Sequence, residues 1–281
     1  MTETSLRVVD RTSAVPSGAG VVRPRNAAAA DVPALEPTEG GPAQRFAQAL
    51  SGRHPVTVFL VASILGYLLL ATLTIALGLL LTEVVLRSGG IASTDERFVG
   101  WLAAHRDPTR TEGSLIGSII AGGVVIPIVV GVVAVVLACF KRWRIAAFLI
   151  AAITVEAATY RATTWVVHRD RPQVHRLEDL PANASFPSGH TAASLAVYCG
   201  LALVLTSRVR SMWVAAVCWT IAITIPVFVA LARMYRGMHH PLDSLAGVAI
   251  GIAALLVALF AARAAGYAAR ERDAERTRSG T

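Results

Sequence analysis

The chain contains six apolar stretches that are long enough, or nearly so, to cross a lipid bilayer, and this feature limits its folds most. A spanning helix needs about 20 consecutive apolar residues. The stretches are 56–82, 114–140, 145–168, 190–206, 211–232 and 244–262. The first two carry no charge, the third is interrupted by Glu156 and Arg161, and the fourth is the shortest. Only 16% of the residues are charged and the mean hydropathy is +0.58, against about 25% charged in a soluble domain. A soluble globular enzyme, a disordered chain and a disulfide scaffold are all excluded. Cys139, Cys199 and Cys218 lie in apolar runs and read as small buried hydrophobes. The fold class expected is an all-α integral membrane protein with six transmembrane helices.

The net charge of +8 is informative through its position. Six spans put both termini on one side, with the turns 141–144 and 207–210. Those two turns hold five basic residues and no acidic one, and the whole positive excess falls on them and the tails. This is the positive-inside pattern. It predicts a protein of the cell membrane with cytoplasmic termini and outward loops at 87–113, 169–189 and 233–243. It also removes nucleic acid as the partner of the basic charge. Residues 1–55, rich in Ala, Pro, Gly and Thr, read as a disordered cytoplasmic tail. Residues 56–265 form the membrane domain, and 266–281 a charged cytoplasmic tail that can prolong the last helix. Residues 95–106 have the pattern of an amphipathic helix at the outer surface, with Phe98, Trp101 and Leu102 toward lipid or the bundle.

The outward loops concentrate Arg and His. One contains Arg169, Arg171 and the run Phe186-Pro187-Ser188-Gly189-His190; another runs from Arg233 through His239 and His240 to Asp243. Both emerge on the same face, so they can share one site. Ser188 and Gly189 stand where the fourth span begins, and a helix N-terminus offers unpaired N–H groups to an anion. Arg171 and Arg233 supply forked donors for phosphate oxygens. Asp243 lies four residues beyond His239, so it can reach one imidazole nitrogen if the helix has begun there. That contact would leave the other nitrogen free to attack, and His190 is then available as a general acid. These parts make up a phosphoryl-transfer site. No ligand set for a metal is visible, so none is expected and the arginines supply the positive charge. No cofactor is expected.

These residues resemble the type 2 phosphatidic acid phosphatase superfamily of integral membrane lipid phosphatases. The resemblance covers roughly 56–262 and rests on three motifs: Lys-x6-Arg-Pro, Pro-Ser-Gly-His, and Ser-Arg-x5-His-x3-Asp. Arg171-Pro172 matches the end of the first, Pro187-Ser188-Gly189-His190 the whole of the second, and Arg233, His239 and Asp243 the third. Ala232 stands at the usual Ser. The resemblance implies a metal-independent phosphatase acting on a membrane lipid, with His239 as nucleophile and carrier of a phosphohistidine. His190 would be the acid and then the base, Asp243 would orient His239, and Arg171, Arg233, Ser188 and Gly189 would hold the phosphate. A polyprenyl diphosphate such as undecaprenyl diphosphate is favoured as substrate, with phosphatidate close behind.

The chain departs from the family at Thr164, where the first-motif Lys would stand. Arg161, three residues earlier on the same helical face, is the favoured replacement for its charge; Arg169 is the other. Arg169 also reads as an interface anchor, and His175 and His240 as loop residues. A lipid transporter or flippase is the competing reading, supported by Glu156 and Arg161 inside a span. Vanadate-dependent haloperoxidases share the anion motifs but are soluble.

Overall fold

The structure is a computed structural model, and it describes residues 32–280. Among these there are nine α-helices and no strands: α1 Pro42–Ala49, α2 Pro55–Leu80, α3 Gly90–Ala104, α4 Pro108–Ile120, α5 Val125–Cys139, α6 Trp143–Val166, α7 Gly189–Thr206, α8 Met212–Tyr235 and α9 Pro241–Ser279. Five are long and apolar enough to cross a membrane: α2 with its continuation to Val85, α6, α7, α8 and α9. The sixth expected span is broken. α4 and α5 meet at 46°, and the break falls at Gly122 and Gly123, where Gly122 N–H closes a turn on Ile119 C=O. Pro127 is the third residue of α5, where a missing N–H removes no helical bond. The count is therefore five spans, or six if the bent pair crosses as one. The chain is a multi-pass all-α membrane protein.

α6, α7 and α9 form the centre, with α2 against α6 and α9 and with α8 against α7. The approach of α9 to α7 depends on glycine. A Cβ on Gly247 would lie 2.5 Å from Ser188 C=O, and one on Gly251 2.6 Å from Ala192 C=O. Small residues at this spacing let helix backbones meet in a membrane. Here they bring the start of α7 beside the start of α9, and Ser188 N–H donates to Asp243 C=O at 3.0 Å. α8 and α9 each pack on α7 but scarcely touch one another.

Two expectations from composition change. The stretch 32–55 is not a disordered tail. Val32 and Leu35 are buried in a cluster with Phe148, Ala258 and Ala262. Arg144 donates to Glu36 at 2.9 Å and to Leu35 C=O at 3.0 Å, and Arg263 donates to Ala34 C=O at 2.9 Å. α1 buries Ala43 and Ala47 against Ala264 and Ala268. Tertiary contacts supply the burial that the local composition lacks. The remainder of the proposed tail, 1–31, lies outside the described residues. At the other end α9 continues to Ser279, so no boundary falls at 265. The surface helix is present as α3, with Asp95 and Val99 buried and Phe98 and Trp101 partly exposed.

Candidate active site

The site forms where the α6–α7 and α8–α9 loops meet. α8 ends in a Schellman motif: Gly237 takes φ +74°, its N–H donates to Met234 C=O at 3.0 Å, and Met238 N–H donates to Arg233 C=O at 3.0 Å. Glycine is suited to this left-handed cap. Arg106 donates to the last carbonyl of α8, Tyr235 C=O, through Nε at 2.9 Å and Nη2 at 2.7 Å. The chain then reverses, and α9 starts with a capping box. His240 is the N-cap, Pro241 the first helical residue, and the Asp243 carboxylate accepts His240 N–H at 2.8 Å, which satisfies helix-start donors.

That start places His239 outside the helix, so the four-residue spacing to Asp243 does not join them. The expected Asp243–His239 hydrogen bond is absent. Instead His239 Nδ1–H donates to Ser185 C=O at 2.6 Å. A carbonyl only accepts, so this contact fixes the proton on Nδ1 and leaves the Nε2 lone pair free. Asp243 acts one step further back. Its Oδ2 accepts Ser185 Oγ–H at 2.6 Å, and thereby holds the residue whose carbonyl holds His239. Burial, with the Arg233 charge adding to it, pushes the His239 imidazole well below its ordinary 6.5, so the ring stays neutral and nucleophilic.

Arg233 is fully buried at the end of α8. Its Nη1 donates to Glu178 Oε2 at 2.6 Å and to Ser118 Oγ at 2.8 Å, while Nε and Nη2 are buried without any partner. These two atoms are the side of the guanidinium that binds an oxyanion in bidentate fashion. Buried donors left in this state are costly, and an anion at this point would satisfy them. Arg233 and Arg171 are both close enough to act electrostatically on His239 and on His190. His190 is the second residue of α7, and its imidazole hydrogen-bonds to no protein group among the described residues. Tyr160 lies beside the same arginines.

Other expected phosphate ligands are placed differently. Arg171 is buried, and it donates to Pro181 C=O at 2.8 Å, to Ala184 C=O at 2.9 Å and to Met238 C=O. Three of its five N–H groups are therefore engaged, two within the α6–α7 loop and one that ties it to the α8–α9 loop. Burial, with Arg233 close by, lowers it to about 10. Ser188 is the N-cap of α7, but its hydroxyl pairs with Thr191 Oγ1 at 2.9 Å and caps no backbone N–H, so the first turn has no side-chain cap. Gly189 has Tyr160 against it: a Cβ would lie 3.0 Å from the ring.

Neither candidate for the missing first-motif charge fills that role. Arg169 is buried between two carboxylates, with Nη1 at 2.5 Å from Asp243 Oδ1 and Nη2 at 2.5 Å from Asp95 Oδ2. It is neither an interface anchor nor a phosphate ligand, because both ends of its guanidinium are neutralised. The Arg161 side chain is exposed on α6 and makes no hydrogen bond or ion pair among the described residues, so it reaches neither the loops nor Glu156. Thr164 turns its hydroxyl to Tyr160 C=O of its own helix at 2.5 Å.

The structure adds residues that sequence reasoning missed. Glu178 bridges Arg233 and Arg236, the latter at 2.6 Å, and takes Ser118 Oγ–H at 2.8 Å. Burial raises this carboxyl, but the Arg233 charge and the three hydrogen bonds outweigh it and set it at about 2. Asp95 accepts Leu242 N–H at 3.1 Å, so α3 is tied to the start of α9. His240 is no loose loop residue: its nitrogens face Asp243 at 3.2 Å and Glu96 at 3.0 Å. The only sequence signal for Glu178 was an acid in an arginine-rich loop. No group of three or more His, Cys, Asp or Glu side chains suited to a metal ion occurs among the described residues.

Residues 143–266 match the family model of the PAP2 superfamily. The chain is similar to an undecaprenyl-diphosphatase of Sulfolobus acidocaldarius, 32% identical over 130 residues, which is 42% of this chain and 56% of that protein; it thus spans little more than half the relative's length. The fold is similar to the crystal structure of a PAP2-type phosphatidylglycerolphosphate phosphatase from Bacillus subtilis. The TM-score is 0.57 at 20% identity, covering 73% of this chain and 93% of that one. Residues 143–266, which carry all three motif loops, are thus the part of this chain that is similar to the PAP2 superfamily.

Proposed function

We propose that the protein is a metal-independent membrane phosphatase that removes phosphate from a lipid phosphate or diphosphate through a phosphohistidine. Polyprenyl diphosphate is the favoured substrate. The observation that carries this reading is the pairing of two unmet needs. Arg233 keeps a buried bidentate fork without an acceptor, and His239, with Nδ1 engaged, keeps a free Nε2. A phosphoryl group between them satisfies both.

In the first step Nε2 of His239 forms a bond to phosphorus. The bond from phosphorus to the leaving oxygen breaks, and protonated His190 gives that oxygen its proton. In the second step His190 takes a proton from water, the water oxygen bonds to phosphorus, and the phosphorus–nitrogen bond breaks. Arg233 and the remaining donors of Arg171 stabilise the charge on the equatorial oxygens. Both termini lie in the cytoplasm in this reading and the site faces outward, as the basic turns at 141–144 and 207–210 favour.

The test is phosphate release by purified protein from a panel of lipid phosphates in excess chelator. Wild type releases phosphate, vanadate inhibits, and His239→Ala falls to background while remaining folded. Activity that vanishes in chelator and returns with a divalent ion contradicts the mechanism. For orientation, a cysteine introduced at Gln173 reacts with an impermeant thiol reagent in intact cells and one at Thr281 does not. The reverse pattern inverts the topology.

A further inference from the structure

Because α8 and α9 each pack on α7 but barely on one another, they leave a cleft of about 730 Å³ between them. Its floor includes Leu195 of α7, and its walls are apolar except at Ser244, with Trp219, Ile223 and Ala230 on α8 and Val248, Ile252 and Leu255 on α9. Along each helix these positions recur three, four or seven apart, so each helix presents one face to the cleft. The cleft runs within the spanning segments and lies open on one side.

Its upper end adjoins the site. Met234, next to Arg233, lines it, as do Pro241, next to His240, and Ser244, next to Asp243. Phe98 of α3 closes the top, on the helix whose Asp95 holds Arg169 and the start of α9. Ser244 supplies the sole polar side chain of the lining, and its hydroxyl is buried without a partner. From Met234 down to Trp219, and from Pro241 down to Leu256, each wall descends about 22 Å at 1.5 Å per residue. One leaflet of hydrocarbon is about 15 Å deep, half of a core of about 30 Å. The cleft therefore reaches past the depth of one leaflet.

We propose that this cleft holds the apolar chain of the substrate, and that its occupant is a single linear chain longer than a leaflet, of the isoprenoid class. The proposal rests on the phosphatase reading above and deepens it. The site fixes the phosphate end at Arg233 and His239, and the cleft begins one residue from Arg233 on one wall and two from His239 on the other. A chain seated there leads from the headgroup into the membrane without a turn. Its length, together with a single trough, suits one long chain better than two acyl chains of leaflet depth.

The experiment compares isopentenyl, farnesyl and undecaprenyl diphosphates as substrates of the full-length protein in detergent. In wild type kcat/KM rises along the series. Ala230→Phe fills the upper part of the cleft, about 6 Å below Met234 at 1.5 Å per residue, and changes no residue of the site. It lowers kcat/KM for undecaprenyl diphosphate at least tenfold, leaves isopentenyl diphosphate within twofold, and so flattens the series. Val217→Phe, on the exposed face of α8 outside the cleft, keeps the wild-type series. Equal losses on all three substrates, or none on any, overturn the cleft assignment, as does a matching change in Val217→Phe. If wild type hydrolyses none of these diphosphates or lipid phosphates, the phosphatase reading itself fails, and that result is distinct from a flat series. Phosphatidate hydrolysed faster than undecaprenyl diphosphate and equally sensitive to Ala230→Phe would replace the isoprenoid occupant by an acyl chain.

Discussion

Two arginines, each buried where the α6–α7 and α8–α9 loops meet, stand in opposite states. Arg169 is fully matched: its two terminal nitrogens meet the carboxylates of Asp243 and Asp95, which in turn hold Ser185 and the first turn of α9. Arg233 is half matched, with one nitrogen on Glu178 and Ser118 and the other two buried without an acceptor. A satisfied network rigidifies what it touches, whereas an unsatisfied buried donor persists only where something outside the protein pairs with it or where the fold compensates its cost. The contrast divides the cluster into a matched frame around Arg169 and, in the function proposed above, a phosphate receptor around Arg233, His239 and His190. Asp243 belongs to the frame, although its spacing from His239 suggested a direct catalytic contact.

The comparison breaks first at the frame. Arg169→Met strands Asp95 and Asp243 without their cation, and loss of one partner from a buried pair costs about 3–5 kcal/mol. The expected result is a large fall in thermal stability in detergent, with activity lost in step with folded protein. A variant as stable as wild type would remove the distinction. Arg233→Met is the complementary case. It should lower kcat/KM by about a hundredfold, the scale of one lost oxyanion donor, while the melting temperature falls less than in Arg169→Met, because the loss of two orphaned donors offsets part of the lost Glu178 pair. A matching loss of stability would move Arg233 into the frame.

Glu178 sharpens the boundary through pH. Its carboxyl is held at about 2, below the ordinary 4.5. A depressed folded-state value stabilises the protein above the unfolded value, and that contribution is lost as pH falls through the folded one. Wild type should therefore lose stability between about pH 4.5 and pH 2 in part through this group. Glu178→Gln should be less stable near neutrality and lose less across that window, as read from melting temperatures on a pH series. Identical pH slopes would remove Glu178 as the anchor of Arg233. The smallest effect is expected at Arg161. Arg161→Ala should stay within twofold of wild-type activity, since the side chain is exposed and unpaired among the described residues. A loss as large as that of Arg233→Met would restore it as the missing first-motif charge.

The membrane helices were legible because a span is defined by length and apolarity, which a sequence displays directly. The break between α4 and α5 was less so, since Gly122 and Gly123 sit in a run that stays apolar throughout. The motif loops singled out His239, His190 and Arg233 as candidates by residue type and order. What they could not announce was how those residues are wired. The relation of His239 to Asp243 depends on where α9 starts, and the capping box at His240 moved that start past His239. The Arg169 network needed Asp95, which lies 74 residues away on a surface helix. The ordering of 32–55 likewise comes from partners on α6 and α9. In each case the local sequence carries only half of the interaction.

The central claim, that the half-matched cluster receives a phosphoryl group on His239, is tested most directly by rapid quenching with a substrate labelled in the transferred phosphate. The account predicts a covalent, acid-labile and alkali-stable phosphoenzyme whose label maps to His239 and which is absent from His239→Ala. Phosphate release in wild type with the label on another residue, or with none trapped and full turnover in His239→Ala, would contradict it.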